Sequence, residues 1–150
     1  MKVKVGSLEF NDIPALHRLG MQELSIQGRN EGRFWSVEQL QRMIGSDDII
    51  LVAKDGSMVI GFVIACVHHS TSTALIWDIF VKDRYRGRLA RQQLMLMLRQ
   101  RAISAGVTHI QLLIKAADAH QDKGFINSAF PGNSSPMILR EVSVSEMPHR

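Results

Sequence analysis

Five cations, Lys82, Arg84, Arg86, Arg88 and Arg91, crowd around Gly87. An apolar, β-rich run from Ala74 to Val81 precedes them, broken by the carboxylate of Asp78. Apolar residues at helical spacing follow: Ala90, Leu94, Met97, Leu98, Ala102 and Ala105. The spacing predicts a strand, a basic turn and a long helix. A basic, glycine-containing turn that feeds a helix start suits a phosphate. The first helical N–H groups lack partners, the dipole end is positive, and arginines add charge. Solvated surface charge is the plainer account of the same cations.

Asp78 is the second chemical feature. A carboxylate inside an apolar strand is costly unless paired, and burial can bring a carboxylate into the range of a general base. Asp78 is therefore a candidate base or amine-binding group. The alternatives are an ion pair with a neighbouring arginine, or a side chain turned to the opposite helix layer. Strict alternation puts Asp78 on the face of Ile76 and Phe80. His68 and His69 end the preceding strand and are expected to point to opposite faces, either one exposed or turned to a cleft. Cys66 shares a face with His68, but a pair two residues apart on one strand is a weak signal, and a buried small side chain suits it better. The six histidines show no metal-ligand spacing, so no metal is expected.

Elements must hold these groups. Lys2 to Glu9 alternates as a strand. Asn11 and Asp12 can cap a helix with Pro14 in its first turn and Gly28 at its end. Gln27 to Trp35 is a polar, glycine-containing loop with an aromatic end. Ser36 and Gln39 make a capping-box pattern before a second helix that stops at Gly45. Strands are predicted over Asp48–Lys54 and Met58–His69, joined by an Asp55-Gly56 turn. The central strand and long helix follow, the latter ended by Gly106. Val107 to Lys115 is the next strand, Ala116 to Phe130 a helix, and Met137 to Val144 a last strand.

This order, together with the Ala74–Leu98 stretch, resembles the GNAT superfamily of N-acetyltransferases. Ile79-Phe80-Val81 is similar to the family's aliphatic-x-Val strand end, Arg86-Gly87-Arg88 to the start of its Arg-Gly-x-Gly-x-Gly/Ala turn, and Leu94-Met95 to its paired leucines. One glycine of that turn is missing, so Leu89-Ala90 completes it. Ile60-Gly61-Phe62 and Trp77-Asp78-Ile79-Phe80-Val81 resemble the third and central strands, the latter those of polyamine-type members. Asp118 to Phe130 resembles the last helix, with Asp118 at the family's asparagine, Phe125 at its tyrosine and Ala129-Phe130 at its Gly-Phe.

The resemblance implies an α/β (α+β) fold with a mixed central sheet flanked by helices on both faces, as a single domain over residues 1–150. It implies N-acetylation of a primary amine, on a small molecule or protein, with acetyl-CoA as cosubstrate. Backbone groups of Ile79, Phe80 and Val81 would bind the pantetheine arm, with one N–H facing the thioester oxygen. The turn residues Arg86, Gly87, Arg88, Leu89, Ala90 and Arg91 would hold the pyrophosphate, and Asp118 would contact the cofactor. Phe125 has no proton to give, so the thiolate leaves unassisted or another group such as Ser128 helps. Arg29, Glu31, Arg33, Phe34 and Trp35 lie where acceptors enter, Trp35 more in the manner of a core anchor. The alternative is a catalytically inactive GNAT-fold protein that binds CoA or regulates, which Leu89 and Phe125 motivate.

Composition sets outer limits. At 150 residues, 45% apolar and 21% charged, the chain has the profile of one globular domain. No apolar run reaches the length of a membrane span. The first ten residues lack a signal-peptide core, so a cytoplasmic protein is expected. A single cysteine rules out an internal disulfide framework and suits a reducing compartment. The formal charge of +4 suits a polyanion such as CoA. The basic turn lacks interleaved aromatics apart from Tyr85, so a nucleic-acid partner is not expected. A homodimer is compatible with the resemblance.

Overall fold

Val3 and Val5 turn inward while Lys2 and Lys4 stay exposed, and this alternation makes the first strand, β1 (Val3–Ser7). The computed structural model describes residues 2–26, 34–85, 89–113, 130, 132 and 142–148. A 3-10 turn, Phe10–Asp12, leads into helix α1 (Ile13–Ile26). Asp12 reaches backward rather than forward. It accepts the N–H of Glu9 at 3.0 Å and pairs with Lys54 while itself almost fully buried. Helix α2 (Val37–Ile44) starts with the predicted capping box, Ser36 and Gln39 exchanging side-chain and backbone hydrogen bonds.

The sheet order is β1-β2-β3-β4-β5, with β2 Ile49–Asp55, β3 Met58–His68, β4 Thr73–Val81 and β5 His109–Leu112. Neighbours are antiparallel except β4 and β5, which run parallel. The long helix α3 (Leu89–Ser104) supplies the crossover between them. The Asp55-Gly56 turn forms as predicted, with Gly56 at φ +63°, a conformation that favours glycine.

β2 and β3 are buried almost throughout because both sheet faces are covered. On one face Ile50, Val52, Phe62 and Ile64 pack with Leu8, Ile13, Leu16, Leu19, Leu40 and Met43. The opposite face carries Leu51, Ala53, Val63 and Ala65. Helix α3 packs on β1 and β2 there, burying Ala90, Leu94, Leu98 and Ala102. That burial spacing repeats every four residues, one stripe of an amphipathic helix.

Three expectations change. His69 leaves the strand for a 3-10 turn, His69–Thr71, closed by Ser72 in a left-handed conformation at φ 52°. β5 begins at His109 and not at Val107, since Val107 and Thr108 bond back to Ala102 and Ser72 before pairing begins, and the expected end at residues 114–115 lies outside the described residues. Val144 starts a 3-10 turn, Val144–Glu146, instead of ending a strand. The helix expected over Ala116–Phe130 and most of the last strand lie outside the described residues. The chain divides into two compact units, Met1–Ala119 and His120–Arg150. The described β-sheet and the described helices α1, α2 and α3 belong to the first. The described part of the second is Phe130, Gly132 and residues 142–148, with its one turn.

Candidate active site

Two bulges shape the centre of the sheet. Between β3 and β4 the register passes from Ile64↔Asp78 to Ala65↔Ile76, so Trp77 is an extra residue on β4. Residues directly across two strands share a face, and Ile64 and Ala65 are successive, hence on opposite faces. Asp78 therefore lies with Ile64, Phe62 and Phe80 on the α1/α2 side, and Ile76 lies on the α3 side. Alternation placed Asp78 and Ile76 together; the bulge separates them. The described pairing to β5 runs from Thr73↔His109 to Ile76↔Leu112, with the Leu113 N–H on the Ile76 carbonyl. β4 continues beyond that point through Trp77–Val81, the segment that carries Asp78.

Asp78 has a specific partner. Its Oδ2 accepts the indole N–H of Trp35 at 2.8 Å. Trp35 also meets Trp77 edge-to-face, with ring centroids 6.4 Å apart at 85°. All three residues are half-buried. Phe34 fixes the same connection one residue earlier. Its ring stands edge-on to Phe62, 5.5 Å away, and occupies the space where a Cβ on Gly20 would come within 2.3 Å. Phe62 in turn lies 6.0 Å from Phe80, its partner across the strands. The segment before α2 is thus riveted to the sheet by two adjacent aromatics, one apolar and one through a carboxylate. Sequence reasoning weighed Trp35 mainly as a core anchor and missed its bond to Asp78. The signal available was the count: Trp35 and Trp77 are the only tryptophans in the chain.

The other candidates fall as follows. Ile79 pairs with Val63 and is half-buried, Phe80 is half-buried on the Asp78 face, and Val81 is buried opposite Gly61. A Cβ on Gly61 would meet the Phe80 carbonyl oxygen at 2.8 Å, so glycine lets β3 and β4 approach there. The chain then turns through Asp83–Tyr85, with Lys82 N–H bonded to the Ile60 carbonyl and Tyr85 N–H to Lys82. Tyr85 is fully buried and donates its hydroxyl hydrogen to Asp55 at 2.6 Å. It anchors the start of the basic turn to the hairpin end of β2. Arg86, Gly87, Arg88 and Asp118, with Arg29, Glu31, Arg33, Phe125 and Ser128, lie outside the described residues. Leu89 opens α3 exposed, Ala90 is buried and Arg91 is half-buried. The first turn of α3 contains no acidic residue, so its positive end is not neutralised from within.

The histidine and cysteine candidates have surroundings of their own. His68 is exposed opposite Thr73, and the His69 ring sits 2.9 Å from Asp47 on the surface. Cys66 packs against the α1/α2 core, and burial, with a smaller contribution from Asp48, pushes its thiol up to about 11. Among the described residues, no group of three or more His, Cys, Asp or Glu side chains could hold a metal ion, and no helix is long and apolar enough to cross a membrane. A cavity of about 350 Å³ lined by Ser7, Met43, Asp48, Ile49, Arg101 and Ser104 belongs to the β1–β2 side and includes none of the β4 candidates.

Residues 14–125 match the family model described as Acetyltransferase (GNAT) family. No curated protein sequence matches the chain. Among solved structures, an aminoglycoside acetyltransferase from an uncultured soil metagenomic sample, in complex with sisomicin, is similar at 17% identity and TM-score 0.74, covering 95% of this chain and 96% of that one. AAC(6')-Iy, in complex with the bisubstrate analogue CoA-S-monomethyl-acetylneamine, is similar at 12% identity and TM-score 0.76, covering 95% and 99%. An N-acetyltransferase, PaiA from Thermoplasma acidophilum, in complex with coenzyme A, is similar at 16% identity and TM-score 0.63, covering 88% and 89%.

Proposed function

This chain belongs to the GNAT acetyltransferase family, and we propose that it transfers the acetyl group of acetyl-CoA to a primary amine. The observation that carries the reading is the segment Trp77–Val81, bulged at Trp77 and leading to the basic turn and the acid-free start of α3. The donor set suits the ligand: backbone amides of an extended strand for a pantetheine arm, and a helix N-terminus with arginines for a pyrophosphate.

Acetyl-CoA supplies an activated thioester: as the amine nitrogen bonds to the acetyl carbon the C–S bond breaks, and of the two protons an ammonium gives up, one ends on the CoA thiol and one in solvent. The protein's part is placement. Ile79, Phe80 and Val81 bind the pantetheine arm through their backbone, and one of their N–H groups faces the thioester oxygen, where negative charge gathers. The backbone of residues 86–91 and its arginines hold the pyrophosphate, and Asp118 contacts the cofactor. Asp78 receives the amine. With no tyrosine at the Phe125 position, the thiolate leaves without a dedicated acid, which a thiol's acidity permits.

The test is thermal unfolding with acetyl-CoA, with ATP as a phosphate control, followed by a screen of amines. A ligand that binds only the folded protein adds about 2.7 kcal/mol of stability at a hundredfold excess over its dissociation constant. Stabilisation by acetyl-CoA and not ATP, with CoA release in the presence of an amine, is expected. Stabilisation without turnover of any amine is what an inactive CoA-binding protein would give, and no stabilisation removes the reading.

A further inference from the structure

The two tryptophans of this chain meet at one corner, where Trp35 donates to the Asp78 carboxylate and Trp77 stands edge-to-face against Trp35. Trp77 precedes Asp78 as the bulge residue of β4. Trp35 arrives from 43 positions upstream, at the start of α2. Its backbone is set by the capping box of Ser36 and Gln39, and its ring by the 2.8 Å bond to Asp78. Packing alone needs no such bond, because a phenyl ring would fill the same core contact.

An indole nitrogen only donates, so the hydrogen bond has one direction and Asp78 accepts. A donor to a carboxylate favours its anionic form. The arrangement is therefore better suited to holding positive charge than to taking a proton. The Trp35 indole beside that anion, with Trp77 edge-to-face against it, adds the other attraction a cation responds to, the negative face of an aromatic ring. The three side chains are half-buried, which places the corner between core and solvent.

We infer that Trp35 is a positioning residue for the acceptor: its indole N–H fixes the Asp78 carboxylate as the anchor of a cationic amine, and Trp35 and Trp77 wall that anchor. The inference rests on the transferase reading and refines it. The acceptor is taken up as an ammonium, and neutral molecules of the same shape are rejected. Asp78 anchors charge, and the ammonium's proton is lost to water instead of to this carboxylate.

Because Trp35 and Trp77 are the only tryptophans, selectively excited tryptophan emission reports on this corner alone. Titration of the protein with butylamine is expected to change the emission, and butanol to leave it unchanged. Trp35→Phe, which keeps a ring and removes the donor, is expected to weaken butylamine binding about tenfold, the scale of a hydrogen bond to a charged group. Asp78→Asn is expected to weaken it at least as much, and Trp77 still reports in both variants. In turnover, Trp35→Phe should raise the amine KM by the same factor and leave kcat and the acetyl-CoA KM unchanged, a split that general loosening of the fold would not produce. Thermal unfolding of each variant checks that it is folded. The inference is overturned if Trp35→Phe binds butylamine like the parent protein, if butanol acts like butylamine, or if no amine alters the emission. Stabilisation by acetyl-CoA tests the transferase reading separately, so its absence removes that reading while the amine titration still decides the role of Trp35.

Discussion

The hydroxyl of Tyr85 donates to Asp55 Oδ2 over 2.6 Å, and this bond ties the turn after β4 to the hairpin end of β2. Tyr85 is fully buried, with the Arg84 guanidinium 5.2 Å from its ring centroid. The basic segment that follows therefore starts from a fixed point in the core. Replacing Tyr85 by Phe removes the donor and leaves the Asp55 carboxylate short of a partner. Such a loss costs roughly 1–3 kcal/mol, and the lower end is expected because Asp55 is only half-buried. Denaturant unfolding measures it. The acetyl-CoA dissociation constant should rise in the same variant, because the turn loses its anchor. Unchanged cofactor affinity in a destabilised Tyr85→Phe would separate the anchor from the binding site.

Gly61 and Gly20 give a second pair of measurements. A Cβ on Gly61 would meet backbone, the Phe80 carbonyl at 2.8 Å, and the Val81 side chain at 3.1 Å. Backbone in the middle of a sheet moves little, so Gly61→Ala should cost about 1–3 kcal/mol as overpacking. It should also disturb acetyl-CoA binding, since it pushes on the strand proposed to hold the pantetheine arm. At Gly20 the added methyl would overlap the Phe34 ring at 2.3 Å, so the ring must leave its place on Phe62. Gly20→Ala should therefore shift amine KM more than acetyl-CoA KM. Equal effects of the two substitutions on both substrates would contradict the assignment of the amine to the Phe34–Trp35 corner and of the pantetheine arm to the backbone of residues 79–81.

The ion pair of Asp12 and Lys54 is unequal, with side-chain exposures of 8% and 31%. Asp12 also accepts the Glu9 N–H. Asp12→Ala removes both contacts and strands a lysine that can still turn to water. Lys54→Ala leaves a nearly buried carboxylate with one hydrogen bond. A buried charge left without its partner is the costlier outcome, up to about 3–5 kcal/mol, so Lys54→Ala is expected to destabilise more than its partial exposure suggests. Lys54→Ala and the double Ala variant, compared by denaturant unfolding, check this. The double variant should recover part of the loss.

Much of this organisation was legible in the chain because it depends on local chemistry. The Ser36 capping box, the Asp55-Gly56 turn and the strand–turn–helix from Ala74 to Leu98 follow from side-chain type and spacing, and all but the 86–88 part of the turn are present as read. What could not be read is pairing between distant segments. The bulge at Trp77 depends on how β3 meets β4, and it reverses the side of Ile76 relative to Asp78. The Trp35–Asp78 bond spans 43 residues, and no periodicity announces it. The β-rich neighbours of His69 predict strand there, but a turn closed by the left-handed Ser72 comes first, just before β4.

Exposed apolar residues on α3 test the helix reading from the outside. Leu89, Leu96 and Ile103 are 65%, 56% and 59% exposed, on the side away from Ala90, Leu94, Leu98 and Ala102. Leu96→Gln should change stability by no more than about 0.5 kcal/mol, whereas Leu94→Ala, two positions earlier and fully buried, should cost roughly 2–5 kcal/mol. Similar losses at the two positions would mean that the outer face of α3 is covered in solution.

Cys66 yields a pH prediction whose sign follows from its raised pKa. The thiol moves from 9.0 to about 11, chiefly through burial and secondarily through Asp48, whose Oδ1 accepts the Val67 N–H at 3.2 Å. The folded state therefore keeps its proton at pH values where the unfolded chain has lost it. Stability from this group is complete below pH 9 and is lost as pH rises from 9 toward 11, because the unfolded chain binds fewer protons across that window. The stability of the parent minus that of Cys66→Ala should be constant from pH 6 to 8 and fall as the solution is taken toward pH 11. Differencing removes the other titrating groups that both proteins share. The same shift leaves about a hundredfold less thiolate at pH 8 than an unperturbed cysteine has, so modification by a thiol reagent should be correspondingly slow. A flat stability difference across the alkaline range, with modification as fast as that of a free thiol, would show that Cys66 is neither packed nor shielded as described.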